Sequence, residues 1–280
     1  MNIHKIIVFI FATSLTQVAI AQSPSCCSAS SVTEFAQLGK DLSFVLTHEE
    51  PLPYTLQNPS GVTTTFPISG ESDGQGYYIK GSKSSTTWIF VIQEWWGLND
   101  YIRNEAEKLH NAFPDAHIFA LDMYDGKTAT KREEASALMQ SAKPERLEKI
   151  ITSAATFAGK NAKIATIGWC FGGAWSNKSA VLLGDQAVAC VMYYGMPVTD
   201  VTQISQIKAP VLGIFAEEDG WITPKVVADF KASMEKAGKS IEIHSYAADH
   251  AFANPSNPKF SKDFAEDAWT KSIAFIKKHI

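Results

Sequence analysis

The chain of 280 residues has no large excess of charge of either sign, since 25 Lys and Arg residues stand against 29 Asp and Glu residues, a formal net charge of −4. Its basic residues form nothing longer than a pair such as Lys131-Arg132. Nucleic-acid-binding domains carry a basic patch or stripe, so the sequence predicts no nucleic-acid partner. The sequence shows no internal repeat, and its length and its apolar share of 45% suit one large globular domain.

Long apolar runs are also scarce, and the one that stands out is at the N-terminus. Residues 1–5 carry Lys5, residues 6–20 are mostly apolar, and Ala19-Ile20-Ala21 has the form of a signal-peptidase site. This run is shorter than the about 20 residues of a membrane span. We therefore expect residues 1–21 to be a signal peptide and the mature chain to be periplasmic or secreted, with no membrane contact. A retained N-terminal anchor is the alternative.

Cysteine is sparse, with four residues in the chain. Cys26 and Cys27 are adjacent, just past the expected cleavage site. In an oxidising compartment they can pair with each other, pair between chains or stay free. Cys190 lies within a strand pattern, which predicts a buried core residue. Only Cys170 stands in a setting that favours chemistry.

Cys170 is surrounded by glycines in Gly168-Trp169-Cys170-Phe171-Gly172-Gly173. A β-branched, apolar run over residues 163–167 precedes it and a helical pattern over residues 174–183 follows. Strand, sharp turn and helix form the nucleophile elbow, here with Cys where Ser is usual. Glycines at such a turn relieve backbone strain and contact with neighbouring elements. The alternative is a buried structural cysteine beside a glycine-rich turn.

From residue 86 onward, strand and helix patterns alternate. Strands are predicted at 87–93, 117–121, 164–167, 187–194, 210–215 and 241–246, and helices at 100–112, 131–141, 144–158, 174–183, 224–237 and 260–278; a strand pair at 62–69 and 76–81 precedes them. Alternation of buried strands and helices predicts an α/β fold with a mostly parallel sheet and helices on both faces. We expect residues 22–60 to form a loosely held N-terminal arm with one helix near residues 32–38, and residues 61–280 to form the domain.

Reactive side chains follow three of the predicted strands, at the sheet edge where α/β proteins collect function. Cys170, Asp219 and His250 occur in the nucleophile, acid, base order of the α/β-hydrolase arrangement. A thiol needs a base to ionise near neutral pH, His250 can be that base, and Asp219 can fix the imidazole tautomer. Glu217 and Glu218 compete with Asp219, which we prefer because the Asp-Gly step marks the tightest part of the turn.

The acidic triplet at residues 217–219 is also compatible with a bound cation. No second group of ligands at metal spacing accompanies it in the sequence, so we predict no metal site.

Glu94 ends a buried strand among apolar residues, where a carboxylate needs a partner. It could hold the thiol or the histidine in one state of a reaction cycle; a salt bridge or a solvated rim position is the alternative. The backbone N–H groups of Phe171 and Trp95 are the predicted oxyanion donors. The predicted aromatic lining of the pocket comprises Trp95, Trp96, Trp169, Phe171 and Trp221.

These motifs together resemble the dienelactone hydrolase (carboxymethylenebutenolidase) family of the α/β-hydrolase superfamily. The segments that carry the resemblance are Gln93-Glu94-Trp95-Trp96-Gly97-Leu98-Asn99, Gly168-Trp169-Cys170-Phe171-Gly172-Gly173, Asp219-Gly220-Trp221-Ile222 and His250-Ala251-Phe252. The resemblance runs from about residue 76 to the C-terminus. It implies a Cys170, Asp219 and His250 triad, and a Glu94 carboxylate that contacts the thiol until substrate displaces it. It further implies hydrolysis of small esters or lactones through an acyl-cysteine, without a cofactor.

One departure from the family pattern concerns the substrate. Well-studied members hold a substrate carboxylate with an arginine shortly after the histidine, whereas residues 252–255 here are Phe-Ala-Asn-Pro. The resemblance therefore does not extend to an anionic dienelactone. Two other functions are compatible with the sequence, an exported thiol redox protein and a binding protein without catalysis on a hydrolase fold. We expect a monomer.

Overall fold

The computed structural model describes residues 30–280. The predicted signal peptide and the Cys26-Cys27 pair lie outside these residues. Within them, no helix combines the length and the apolar character needed to cross a bilayer.

An eight-stranded sheet forms the centre of the molecule. Its strands are β1 (Val62–Phe66), β2 (Gly74–Ile79), β3 (Thr87–Ile92), β4 (His117–Leu121), β5 (Lys163–Trp169), β6 (Ala187–Tyr193), β7 (Val211–Ala216) and β8 (Ile241–Tyr246). Their spatial order is β1-β2-β4-β3-β5-β6-β7-β8. The pairs β1–β2 and β2–β4 are antiparallel, and every later pair is parallel. The carboxyl ends of β3, β5, β6, β7 and β8 therefore meet along one edge.

Helices connect the strands and cover the sheet. They are α1 (Ser31–Gln37), α2 (Leu42–Thr47), α3 (Asp100–Ala112), α4 (Arg132–Ser141), α5 (Pro144–Ala158), α6 (Phe171–Leu182), α7 (Val201–Gln206), α8 (Pro224–Lys236) and α9 (Lys262–His279), with 3-10 turns at Leu38–Lys40 and Gly184–Gln186. The central strands are buried over nearly their whole length, and α6 begins directly after β5. The mostly parallel α/β sheet that the sequence predicts is confirmed.

Helix α3 begins at the predicted residue and has an asparagine N-cap. The α3 bounds match the prediction, but Asn99 rather than Asp100 is the N-cap, since its side-chain oxygen accepts from the Ile102 N–H at 3.2 Å. The Asp100 carboxylate instead accepts from the Leu56 N–H at 3.0 Å and pairs with Arg103. An aspartate in the first helical turn is favourable for the helix dipole, and here it also ties the N-terminal segment to the domain.

Residues 30–48 form what we call the N-terminal cover. Its first helix, α1, agrees with the helix expected near residues 32–38, and its second, α2, begins after the Asp41 N-cap. The expectation of a loosely held arm differs from the structure here, because Phe35 and Phe44 are fully buried. The Phe44 ring packs edge-on against the rings of Trp95 and Trp221, at centroid distances of 5.8 and 5.2 Å. These aromatic contacts fix the cover over the carboxyl edge of the sheet.

Candidate active site

Cys170 occupies a strained turn between β5 and α6. Its φ of 56° and ψ of −118° lie in a region that L residues rarely adopt. A Cβ at Gly168 would stand 2.1 Å from the carbonyl oxygen of Gly172, and a Cβ at Gly172 would stand 2.2 Å from that of Ile92. Glycine is thus required at both positions for β5, α6 and β3 to approach this closely. This is the geometry of a nucleophile elbow.

The imidazole of His250 bridges Asp219 and Cys170. Its Nδ1–H donates to Oδ2 of Asp219 at 2.6 Å, so its Nε2 is free to accept the S–H of Cys170, whose sulfur lies 3.4 Å away. The other carboxylate oxygen of Asp219 accepts from the N–H groups of Trp221 and Ile222 at 2.8 and 2.9 Å. Sequence-predicted residues from three separate strand ends therefore meet in one hydrogen-bonded chain.

Asp219 differs from its two acidic neighbours in solvent exposure. Asp219 is buried, whereas Glu217 and Glu218 are exposed. Burial alone raises the pKa of Asp219, but His250 and the backbone N–H donors outweigh it and leave the pKa below its usual value. Asp219 is therefore a stable anion beside the imidazole.

The thiol of Cys170 is held in its protonated form at rest. Burial raises its pKa well above the usual value, the Glu94 carboxyl adds to this, and N–H groups from Phe171 and Trp95 oppose it. These two N–H groups are the donors that the sequence analysis named for an oxyanion. Because they face the sulfur, they also face the atoms that would bond to it.

Glu94 is 6% exposed and accepts a hydrogen bond from Nδ2 of Asn254. Burial raises the pKa of Glu94 to about 8, with a further contribution from Glu105. When ionised, the carboxylate acts on the Cys170 thiol through its charge, and it accepts its hydrogen bond from Asn254. Asn254 lies in the segment where the family pattern would have an arginine.

The aromatic residues predicted to line the pocket fall into two groups. Trp96 and Trp169 line a cavity of about 20 Å³, room for one water molecule, together with Glu94 and Asn254. Trp221 lies on the side of the cover, where its Nε1–H donates to Asp41 at 3.1 Å. Cys170 is itself 1% exposed.

His48 is not among the residues predicted from the sequence, yet the cover places it directly against the Cys170 sulfur. Its Nε2 lies 3.9 Å from the Cys170 sulfur, and its Nδ1–H donates to the Phe44 carbonyl oxygen at 2.8 Å. The ring packs against those of Trp95 and His250 at centroid distances of 4.4 and 5.3 Å. Burial lowers the pKa of His48 to about 3, and His250 adds to the effect, so His48 is neutral. One ring nitrogen of each histidine and the Cys170 sulfur all lie within 4.8 Å of one another.

A signal for His48 was present in the sequence but was weak. Asp41 followed by Ser43 has the N-cap pattern, and the apolar residues of α2 come just before His48. Nothing local connects this histidine with a cysteine that lies 122 positions further along the chain.

Residues 75–280 match the model of the dienelactone hydrolase family. The chain belongs to the dienelactone hydrolase family. Membership makes it a hydrolase that acts on ester or lactone bonds. The match begins after the N-terminal cover and includes Glu94, Cys170, Asp219 and His250.

Individual relatives agree with this assignment. The chain is 28% identical to "Protein usf" of Aquifex pyrophilus over 225 residues, which are 75% of this chain and 97% of that protein. It is 25% identical to carboxymethylenebutenolidase 1 of Cupriavidus pinatubonensis, with 70% and 88% covered. A solved dienelactone hydrolase-like promiscuous phosphotriesterase from metagenomic libraries has the same fold, with a TM-score of 0.67 at 19% identity over 79% of this chain and 99% of that one.

Proposed function

We propose that the protein hydrolyses small esters or lactones through an acyl-cysteine on Cys170, with His250 as the base and Asp219 as its orienting anion. One observation carries the proposal, the His250 ring that joins Asp219 at 2.6 Å to the Cys170 sulfur at 3.4 Å. The N–H groups of Phe171 and Trp95 beside the sulfur support it.

In the first half of the proposed reaction, Nε2 of His250 takes the thiol proton and the sulfur attacks the carbonyl carbon of the substrate. The negative charge that forms on the carbonyl oxygen accepts hydrogen bonds from the Trp95 and Phe171 N–H groups. His250 then gives its proton to the departing alkoxide or enolate. In a lactone this leaving group remains attached to the acyl chain. Asp219 stabilises the imidazolium throughout.

In the second half, His250 removes a proton from a water molecule, which attacks the acyl-cysteine. The tetrahedral intermediate uses the same two N–H donors, and its collapse returns the sulfur to its protonated form. No step requires a cofactor.

Glu94 has the proposed role of a carboxyl group that disfavours the thiolate in the absence of substrate. Its negative charge raises the pKa of the Cys170 thiol, and because its own pKa is about 8 this charge is fully present only at alkaline pH. We propose that Trp96 and Trp169 contact the substrate next to Glu94, and that Trp221 supports the opposite side.

Substrate access requires the N-terminal cover to move. Phe44 and His48 lie over His250 and the thiol, and both are buried. The proposed cycle therefore includes an opening of α2 before substrate binds.

The test is turnover of p-nitrophenyl acetate and of a lactone panel by the mature chain, beside Cys170→Ala and Cys170→Ser. We expect Cys170→Ala to lose at least about 100-fold in kcat, with a burst of nitrophenol in the parent that the variant lacks. Unchanged turnover in Cys170→Ala contradicts the nucleophile. Turnover of peroxide or a disulfide, with none of any ester, contradicts the hydrolase mechanism in favour of thiol redox chemistry.

We also propose that the mature chain is exported. The support is the signal-peptide pattern of residues 1–21. Fractionation of producing cells tests export, and mass spectrometry of the product should find residue 22 as the first residue. A product that begins at residue 1 in the cytosolic fraction contradicts this proposal.

A further inference from the structure

Two neutral histidines present the same kind of atom to one sulfur. His250 donates its Nδ1–H to Asp219, and His48 donates its Nδ1–H to the Phe44 carbonyl oxygen. Each ring therefore has an unprotonated Nε2, and these atoms lie 3.4 and 3.9 Å from the Cys170 sulfur. A thiol has a single hydrogen and can donate a hydrogen bond to only one of these nitrogens at a time.

This arrangement exceeds what the proposed hydrolysis needs. A cysteine nucleophile requires one base, and His250 already has the orienting carboxylate. His48 is 4% exposed, and the hydrogen bonds of the described residues give its Nε2 no partner except the sulfur. Neutral imidazole is the commonest metal ligand in proteins, so a buried ring nitrogen close to a thiol suits a metal site.

We propose that His48, Cys170 and His250 together form a binding site for Zn²⁺, which holds the enzyme in an inactive form. Thiolate and imidazole are the ligands that zinc prefers in proteins, and three protein ligands with an open fourth position are common. A nitrogen bound to the metal with its other N–H donated to a carboxylate or a backbone carbonyl is the usual second contact of such ligands. Both histidines have that contact.

The distances fit a tetrahedral zinc ion. With Zn–S of about 2.3 Å and Zn–N of about 2.0–2.1 Å, ideal angles place sulfur and nitrogen about 3.6 Å apart and the two nitrogens about 3.4 Å apart. The observed sulfur–nitrogen distances of 3.4 and 3.9 Å lie on either side of the first value. The ring nitrogens of the two histidines lie within 4.8 Å of each other, so they need to approach by at most about 1.4 Å to reach the tetrahedral value.

The charges also balance. Zinc binding replaces the S–H bond of Cys170 with a Zn–S bond and releases the proton to solvent. The divalent ion then faces one thiolate and the buried Asp219 carboxylate, which together carry two negative charges. A neutral sum is what a site buried from water requires.

Zinc bound in this way occupies the nucleophile and the base at once, so turnover stops until the ion leaves. This consequence rests on the proposed function, whereas binding itself does not. The third ligand comes from the cover, outside the residues that match the family. The two ligands that remain without it are the thiol and base of the proposed reaction.

Binding is tested with Co²⁺ as a spectroscopic substitute for zinc. We expect one equivalent to give a sulfur-to-cobalt charge-transfer band and the strong visible absorption of a four-coordinate ion, both abolished by Zn²⁺. His48→Gln and His48→Phe should weaken binding at least about tenfold. His48→Phe keeps an aromatic ring in the cover, so a loss in both variants reports the ligand rather than folding. His244→Gln, at a histidine paired with Glu242 on the last strand, is the matched control and should bind as the parent does.

Cys26 and Cys27 could produce a similar band, so the full chain with Cys26→Ser and Cys27→Ser is measured in parallel. Loss of the band in that variant, or equal affinity in the parent and both His48 variants, overturns the proposal. Ester turnover is then compared with and without Zn²⁺ for each protein. We expect inhibition in the parent to require at least about tenfold less zinc than in the His48 variants. A cobalt spectrum in a protein that hydrolyses no ester would keep the metal site and remove the proposed function.

Discussion

The framework of residues 75–280 and the N-terminal cover of residues 30–48 contribute to the same site in different ways. The framework matches a known family and supplies the thiol, imidazole, carboxylate and backbone N–H groups of the proposed mechanism. The cover lies outside that match and supplies Phe44 and His48, which bury those groups. The groups of the proposed chemistry thus come from the part that matches the family, and the residues that bury them come from a segment outside that match.

The framework is tested most severely by Asp219→Asn. The amide keeps the shape but supports the wrong imidazole tautomer, so we expect kcat for p-nitrophenyl acetate to fall by about 10²–10⁴-fold. Glu218→Gln, at the exposed neighbouring position, is the matched control and should keep parental activity. Full activity in Asp219→Asn contradicts the assignment of the acid.

The cover is tested by Phe44→Ala. Phe44 is fully buried among aromatic rings, and Phe→Ala in such places costs about 3–5 kcal/mol. We expect the substitution to weaken docking of the cover by this amount of free energy. Alkylation of Cys170 should therefore accelerate at least about 100-fold, as measured by peptide mass spectrometry.

Leu46→Ala is the control for this experiment, because Leu46 lies in the same helix but is 54% exposed. Its alkylation rate should match that of the parent. Equal rates in Phe44→Ala and Leu46→Ala would show that the cover does not limit access to the thiol.

Glu94→Gln tests the electrostatic effect of burying a carboxyl group in the framework. The folded protein holds the pKa of Glu94 at about 8, above the value of 4.5 for a free carboxyl group. A carboxyl group whose pKa is higher in the folded than in the unfolded protein contributes stability that is fully present below pH 4.5. This stability is lost as pH rises through about 8. Between these values the free energy of unfolding should fall by up to about 1.4 kcal/mol per pH unit, a slope that Glu94→Gln removes.

Denaturant titrations of Glu94→Gln across that pH range provide the measurement, with Glu235→Gln on the exposed face of α8 as the control. The amide oxygen of the new side chain can still accept from Asn254, so the hydrogen bond is kept. Parallel stability curves for the parent and Glu94→Gln would contradict the raised pKa.

The smallest effect is expected for Trp221→Phe. This change removes the hydrogen bond from Nε1 to Asp41 but keeps an aromatic ring against Phe44. Because a bond of this kind contributes about 0.5–1.5 kcal/mol, Cys170 alkylation should accelerate by less than about tenfold. A rate as high as that of Phe44→Ala would show that the Asp41 contact, rather than aromatic packing, holds the cover.

The two regions also differ in how far the sequence predicts them. Strand ends and glycine spacing identified Cys170, Asp219 and His250, because parallel strands bring their carboxyl ends to one edge whatever the loop lengths. The glycine requirement at Gly168 and Gly172 was likewise predicted and has a direct steric cause. Periodic helices such as α3 and α5 were located to the residue.

The cover was predicted least well. Helix α2 has six residues, too few for a periodic pattern to emerge, and α7 was missed for the same reason. The position of His48 depends on aromatic packing against residues far along the chain, which no local pattern encodes. The proposed zinc ligands are far apart in sequence, so ligand spacing could not reveal them. The expectation of no metal considered only ligands that lie close together in sequence.

The contact between His48 and Cys170 has a consequence for the order in which the protein forms. The cover is synthesised first, yet its docking surface includes His250, near the end of the chain. Contacts across such separations close late in folding, because the intervening chain must be ordered first. We expect the thiol to be accessible to oxidants during this interval and protected only in the finished protein. Pulsed alkylation during refolding should find Cys170 reactive until the last kinetic phase, and early protection would contradict this order.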